Sequence, residues 1–180
     1  MRASGADKVP CTVTAEFAVK FRRPTHQLVG VYEDRLRPIL ASALGRLGVT
    51  RAWVVRGEDG LDEVSPVAPT RVSELRDGEV TERVVTPEDF GIARGDLAAI
   101  AGGDARANAD AIERIVRGEP HRARDAVILN AAAVFVAIGA ETDPRAAAAR
   151  ARDALAGGAA ARVLDLWRAA SNRYAPERAK

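Results

Sequence analysis

What this chain has little of narrows its chemistry first. Its 180 residues hold one cysteine, Cys11, and two histidines, His26 and His121. A single thiol excludes an internal disulfide framework and a cysteine-built zinc site, and it fits a reducing cytoplasm. Neither histidine has a local nucleophile or a second ligand at metal spacing, so Ser-His-Asp, Cys-His and zinc-hydrolase mechanisms find no support; both read as loop histidines. Aromatic residues make up only 4% of the chain, and 27 Lys and Arg against 25 Asp and Glu leave a formal charge of +2. The basic residues are scattered rather than gathered on a face with aromatic partners, so no nucleic-acid partner is expected. Long apolar runs are scarce as well. Asp7, Lys8, Glu16 and Lys20 interrupt the start, and the stretch from Ala126 to Ala140 contains Asn130 and is too short to cross a bilayer, so no membrane role is expected. The length suits one soluble domain with a sizeable core.

What is present has an α/β pattern. Residues 1–24 are the least readable; Cys11 to Val19 alternates weakly, like a strand, and leads into Phe21-Arg22-Arg23-Pro24 without a turn signature. Gln27 to Tyr32 then reads as a buried strand, and Leu36, Ile39, Leu40, Ala43, Leu44 and Leu47 share helical spacing up to Gly48. Pro38 must fall in the first turn of that helix, because deeper it would remove a backbone hydrogen bond. Ala52 to Val55 makes a second strand, parallel to the first through a right-handed crossover. Arg76-Asp77-Gly78-Glu79 between two β-prone runs predicts a hairpin. From Thr86 the pattern turns helical: Thr86-Pro87 and Asp96 open short turns, Asp104 caps a helix with Ala109, Ile112, Ile115 and Val116 on one face, and Gly118 closes it. Arg124 to Ile138, apolar nearly all round, predicts the most buried helix. Gly157-Gly158 divides two alanine-rich helices, Ala146 to Ala156 and Ala159 to Ala170, whose packing falls to Leu155, Val163, Leu164, Leu166 and Trp167. A frayed tail follows from Asn172.

The stretch from Val54 to Ser65 stands out. An apolar strand halts at Gly57 and Gly60, and Glu58, Asp59, Asp62 and Glu63 follow. Ligands of open α/β sheets gather beyond the carboxyl ends of strands, where these acids lie. Adjacent Asp62 and Glu63 repel each other, so a cation is the partner that lets both stay ionised, and hard oxygen ligands suit magnesium shared with substrate phosphates. The plain alternative is an Asp-Gly turn with solvated acids, common after a strand. Gly102-Gly103-Asp104-Ala105 has the look of a phosphate cradle at a helix start, but Asp104 as N-cap would occupy the same amides and repel an anion. Asn130, inside an apolar helix, reads as a packing anchor.

Five ordered stretches carry a resemblance: Gln27-Leu28-Val29-Gly30-Val31-Tyr32; Gly60-Leu61-Asp62-Glu63-Val64-Ser65 with Pro69-Thr70; Thr86-Pro87-Glu88-Asp89-Phe90-Gly91; Gly102-Gly103-Asp104-Ala105 with Asn108-Ala109; and Leu129-Asn130-Ala131-Ala132-Ala133. Together they resemble anthranilate phosphoribosyltransferase from about Gln27 to Ser171. The resemblance implies the C-terminal part of a phosphoribosyltransferase or nucleoside-phosphorylase-like α/β domain, with mainly parallel strands, a β-hairpin and a C-terminal helical cluster. It also implies transfer of the phosphoribosyl group of phosphoribosyl pyrophosphate to anthranilate in tryptophan biosynthesis, with Mg2+ held by the family's acidic pair at Asp62 and Glu63. Nucleoside phosphorylases share the fold but resemble these stretches less. Arg56 stands where similar sequences often have histidine.

Residues 1–26 form an unassigned leader in this scheme, 27–171 the partial transferase domain, and 172–180 the tail. The family's glycine-rich pyrophosphate loop, its Lys-His-Gly-Asn stretch, a substrate-contacting arginine and a small helical domain are expected before Gln27, and none occurs in residues 1–26. The isolated chain is therefore expected to turn over poorly, with a homodimer or the missing N-terminal half as its partner. The rival expectation is a non-catalytic half-domain that acts as a binding or assembly module with a separate chain.

Overall fold

The computed structural model of the chain describes residues 24–174. Cys11 and the weak strand pattern from Cys11 to Val19 lie outside the described residues. The chain divides into two compact units, one running up to Val64 and resuming over Pro69–Val85, the other comprising Ser65–Ala68 and everything from Thr86 onward.

In the first unit, β1 (His26–Gly30), α1 (Leu36–Arg46), β2 (Arg51–Gly57), β3 (Thr70–Arg76) and β4 (Glu79–Val85) follow in order. They form a four-stranded sheet in the order β1-β2-β3-β4. β1 and β2 are parallel, in a register that sets Leu28 opposite Trp53 and Gly30 opposite Val55. Among the described residues the expectation of mainly parallel strands holds for this pair alone, because β2–β3 and β3–β4 are antiparallel. For β3 and β4 the cause is the two-residue turn: Asp77 and Gly78 take φ of 50° and 90°, the left-handed pair that closes a tight antiparallel hairpin. His26 is the first residue of β1 rather than a loop residue, with its Nδ1 2.8 Å from Thr25 Oγ1.

Period-two alternation in the strands meets the helix stripe of α1. Val29, Val31, Ala41, Leu44, Val49, Ala52, Val54 and Leu75 form one buried cluster, with Leu36, Leu40 and Val80 packed at its margin. Pro38 sits in the first turn of α1, and Gly48 ends it at φ 90°, as the pattern requires. Two expected packing residues do not pack: Ile39 and Leu47 are 59% and 47% exposed. Arg37 of the same helix is, by contrast, only 5% exposed. Its Nε donates to Asp34 Oδ1 at 2.8 Å and its Nη1 to Ser73 Oγ at 2.9 Å and Glu82 Oε2 at 2.5 Å. A buried guanidinium needs such partners, and these tie the start of α1 to β3 and β4. The bond from Arg37 holds the Asp34 carboxyl below its ordinary range.

The second unit is helical. A 3-10 turn over Pro87–Phe90 begins at Thr86, whose backbone N–H donates to Asp89 Oδ2 at 2.7 Å. α2 (Leu97–Ile100), α3 (Ala105–Val116), α4 (Arg124–Ala137), α5 (Pro144–Ala156) and α6 (Ala159–Tyr174) follow. α4 is the most buried of them, through Ile128, Leu129, Ala132, Ala133 and Ala137. α5 contributes Ala147, Ala148, Ala151 and Leu155. Alanine faces let two helices approach closely, which is why this core contains few large side chains. Of the residues expected to pack the last two helices, Leu155 is buried, but Val163, Leu166 and Trp167 are 64%, 70% and 71% exposed. The expected face of α3 is likewise only partly covered: Ile115 is buried, while Ala109 and Ile112 are exposed. Spacing brings apolar residues to one side of a helix without supplying anything to cover them. α6 continues helically through Asn172 to Tyr174, and the rest of the expected tail lies outside the described residues.

Candidate functional site

The acidic loop leaves the end of β2. Ala52, Trp53, Val54 and Val55 are fully buried, which fixes the strand that launches it. Gly57 closes the strand and starts a tight turn: Gly60 N–H donates to the Gly57 carbonyl at 3.0 Å, and Gly57 N–H to the Leu61 carbonyl at 2.8 Å. Gly60 takes φ of 98°, a conformation that L residues rarely adopt. Beyond the two acids, Val64 is fully buried and pins the far side of the loop.

The four carboxylates have different fates. Glu58 pairs with Arg71 at 3.3 Å, and its backbone N–H donates to the Pro69 carbonyl at 2.9 Å. Asp59 folds over its own turn, with Oδ1 accepting from Leu61 N–H at 3.2 Å. Asp62 and Glu63 are exposed, and neither side chain has an ion-pair partner among the described residues. All four are exposed, but two of them are engaged in building the loop, whereas Asp62 and Glu63 are not paired in this way.

The loop also touches the end of β1. Gly30 lies so close to Asp62 that a Cβ on it would overlap the Asp62 carbonyl group and come within 3.1 Å of its Cα. The acidic loop therefore lies across the carboxyl end of the parallel β1–β2 pair. Sequence reasoning missed this contact, although an isolated glycine inside a strand is the expected sign of close backbone approach. Arg56, the residue at which similar sequences often carry histidine, has a structural part here. Its Nε donates to the Tyr32 carbonyl at 3.1 Å and its Nη1 to the Gly57 carbonyl at 3.2 Å, joining the segments that leave β1 and β2.

Among the described residues, no three acidic, histidine or cysteine side chains converge as a complete ligand cage. Magnesium does not require one. It commonly takes one or two carboxylates and fills its octahedron with water and substrate phosphate oxygens, so two adjacent solvent-facing carboxylates on a pinned loop fit it.

The other sequence candidates are occupied structurally. Asp104 Oδ1 accepts from Ala107 N–H at 2.8 Å, which makes it the N-cap of α3. Asn108 folds back onto Gly103, accepting from its N–H at 2.8 Å and donating to its carbonyl at 3.1 Å. These are the amides a phosphate would need. Asn130 donates to the Ala126 carbonyl one turn earlier at 3.1 Å. His121 lies in a loop, where its Nδ1 accepts from Ala123 N–H at 3.1 Å.

Comparison with known proteins places this arrangement. The model of the glycosyl transferase family, a/b domain, matches residues 19–161. An anthranilate phosphoribosyltransferase of Nocardioides sp. (strain ATCC BAA-499 / JS614) is 43% identical over 168 residues, which cover 89% of this chain and 49% of the relative. That of Anaeromyxobacter dehalogenans (strain 2CP-C) is 46% identical over 139 residues, covering 77% of this chain and 41% of the relative. Among solved structures, anthranilate phosphoribosyltransferase from Thermus thermophilus is similar with a TM-score of 0.68 at 37% identity, over 77% of this chain and 40% of that one. The Saccharomyces cerevisiae enzyme in complex with PRPP and Mg is similar with a TM-score of 0.71 over 78% of this chain and 41% of that one, and at 24% identity it speaks for the fold alone. The chain spans about half the length of the curated relatives it matches, or less. With the family model covering most of its residues, and a mixed sheet followed by a helical cluster, the chain belongs to the glycosyl transferase family, as an a/b domain.

Proposed function

We propose that this chain carries the magnesium-binding part of a phosphoribosyl-transfer site, with Asp62 and Glu63 as the ligands. The reaction is transfer of the phosphoribosyl group of phosphoribosyl pyrophosphate to the amino nitrogen of anthranilate, releasing pyrophosphate, a cytoplasmic step of tryptophan biosynthesis. What supports the reading is a pair of adjacent solvent-facing carboxylates, on a loop fixed at both sides, at the carboxyl end of a parallel strand pair. Bound magnesium would act as a Lewis acid, neutralising charge that builds on the departing pyrophosphate. The chain's own share is to present two oxygen ligands without rearrangement. Gly57, Leu61 and Val64 set the loop, and Glu58 and Asp59 are engaged within it, leaving Asp62 and Glu63 for the ion. Neither acid needs to move a proton.

Substituting Asp62→Asn and Glu63→Gln together is expected to abolish magnesium-dependent binding of phosphoribosyl pyrophosphate while leaving the fold intact. Calorimetric titration with and without magnesium checks this, and equal binding by wild type and double variant would overturn it. Orienting both substrates is a large part of such catalysis and calls for residues beyond this loop, so turnover by the 180-residue chain alone is expected to be poor.

One observation favours a second reading. β1 is an edge strand that pairs only with β2 among the described residues, and it carries Leu28 and Val29. A strand edge of this kind invites pairing, so the same unit would serve as an assembly module for a separate partner chain. Co-purification tests this: a chain that stays monomeric in the presence of that partner would exclude it.

A further inference from the structure

We propose that Gly30 is a positioning residue for the metal-binding loop. The absence of a side chain at the end of β1 lets the Asp62 backbone lie there, which fixes where Asp62 and Glu63 present their carboxylates. The inference rests on the reading of those two acids as magnesium ligands.

The geometry carries it in three steps. First, the atoms that a Cβ at Gly30 would meet are the carbonyl carbon and oxygen of Asp62, with its Cα at 3.1 Å. These are main-chain atoms, and no rotamer change relieves the overlap. Gly45 provides the contrast within the same unit, since its added Cβ would meet at 3.1 Å only the Cδ1 of Leu75, a side-chain rather than a main-chain atom. Second, Gly30 cannot easily yield, because its strand is paired residue by residue with β2 from His26 to Gly30. Third, the loop is anchored on both sides of the contact. Gly57 N–H holds the Leu61 carbonyl at 2.8 Å and Val64 is fully buried. Displacement forced by a methyl group at Gly30 is thereby confined to Asp62 and Glu63. Magnesium demands oxygen ligands at about 2.0–2.1 Å in near-octahedral geometry, and functional constellations tolerate only about 0.5 Å of error. The stereochemistry of a backbone crossing thus becomes the geometry of an ion site.

The test uses the full 180-residue chain, Mn2+ as a paramagnetic stand-in for magnesium, inorganic pyrophosphate as the co-ligand, and the electron paramagnetic resonance signal of free Mn2+ as readout. Near-UV circular dichroism of the fully buried Trp53 follows the fold in parallel. Wild type is expected to bind and Asp62→Asn to lose binding. Gly30→Ala is expected to bind about 10- to 100-fold more weakly, the usual cost of disturbing a group that orients a metal ligand, with the Trp53 signal unchanged. Gly45→Ala is expected to bind as wild type does. If wild type and Asp62→Asn behave alike, the metal reading itself fails. If they differ while Gly30→Ala binds like wild type, the positioning role fails and the metal reading stands. A Gly30→Ala chain that loses the Trp53 signal also overturns the proposal, since Gly30 would then serve the fold and not the loop.

Discussion

Two stretches of this chain use the same ingredients, glycines followed by acids, and come to opposite ends. In Gly102-Gly103-Asp104 the carboxylate turns inward to the backbone: Asp104 accepts from Ala107 N–H at 2.8 Å, and Asn108 closes over Gly103. In Gly57 to Glu63 the first two acids do comparable local work, through Arg71 and through Leu61 N–H, and the last two face solvent. Their supports differ too. β2, which launches the acidic loop, is buried from Ala52 to Val55, whereas residues 101–110 are exposed throughout. A glycine-and-acid motif becomes a candidate site when buried structure holds its backbone and leaves its carboxylates unengaged. Where the carboxylate itself supplies the missing backbone partner, it is a cap.

The largest effect expected from this contrast comes from the support beneath the loop. Trp53 is fully buried, so Trp53→Ala should cost about 3–5 kcal/mol of stability. Urea unfolding followed by far-UV circular dichroism measures it. A loss below about 1 kcal/mol would mean that the acidic loop is no better founded than the exposed Gly102 segment.

Next in size is the cap. Asp104→Ala should cost about 1 kcal/mol, felt as faster hydrogen exchange at Ala107 and the neighbouring amides of α3. Unchanged exchange would remove the distinction drawn between an engaged acid and a free one.

A third acid sharpens the comparison through pH. Glu113 on α3 accepts from Arg168 Nη2 on α6 at 3.0 Å and from Arg117 Nη2 at 2.9 Å. These bonds, Arg168 first, lower its pKa from 4.5 to about 2. A carboxylate depressed in the folded state stabilises that state above its unfolded pKa, and the contribution is lost as pH falls through the folded value. The tie between α3 and α6 should therefore weaken between about pH 4.5 and pH 2. Glu113→Gln should abolish that acid sensitivity at the α6 amides, as read by hydrogen exchange across the range.

Much of this was legible in the sequence where the cause is local. The Asp77-Gly78 hairpin, the Gly48 stop, the Asp104 cap and the Gly157-Gly158 break each depend on a few consecutive residues. Arg37 was not legible, because the groups that make a buried guanidinium acceptable, Ser73 and Glu82, arrive 36 and 45 residues later. Val163, Leu166 and Trp167 misled for the converse reason: helical spacing gathers apolar residues but does not report whether anything packs on them. At the site, the residue types of Asp62 and Glu63 were readable, whereas the contact of Gly30 with the Asp62 backbone belongs to the folded chain alone.

The smallest expected effect is the most discriminating. Asp62 and Glu63 are exposed, and no ion pair holds either among the described residues, so the double substitution to Asn and Gln should change stability by no more than about 0.5 kcal/mol. Adding magnesium and pyrophosphate should then raise the melting temperature of the wild type and leave the double variant unmoved, because a ligand stabilises only the state that binds it. Should the double variant instead lose stability without metal, these two acids would join Asp104 as structural groups, and the contrast between the two stretches would disappear.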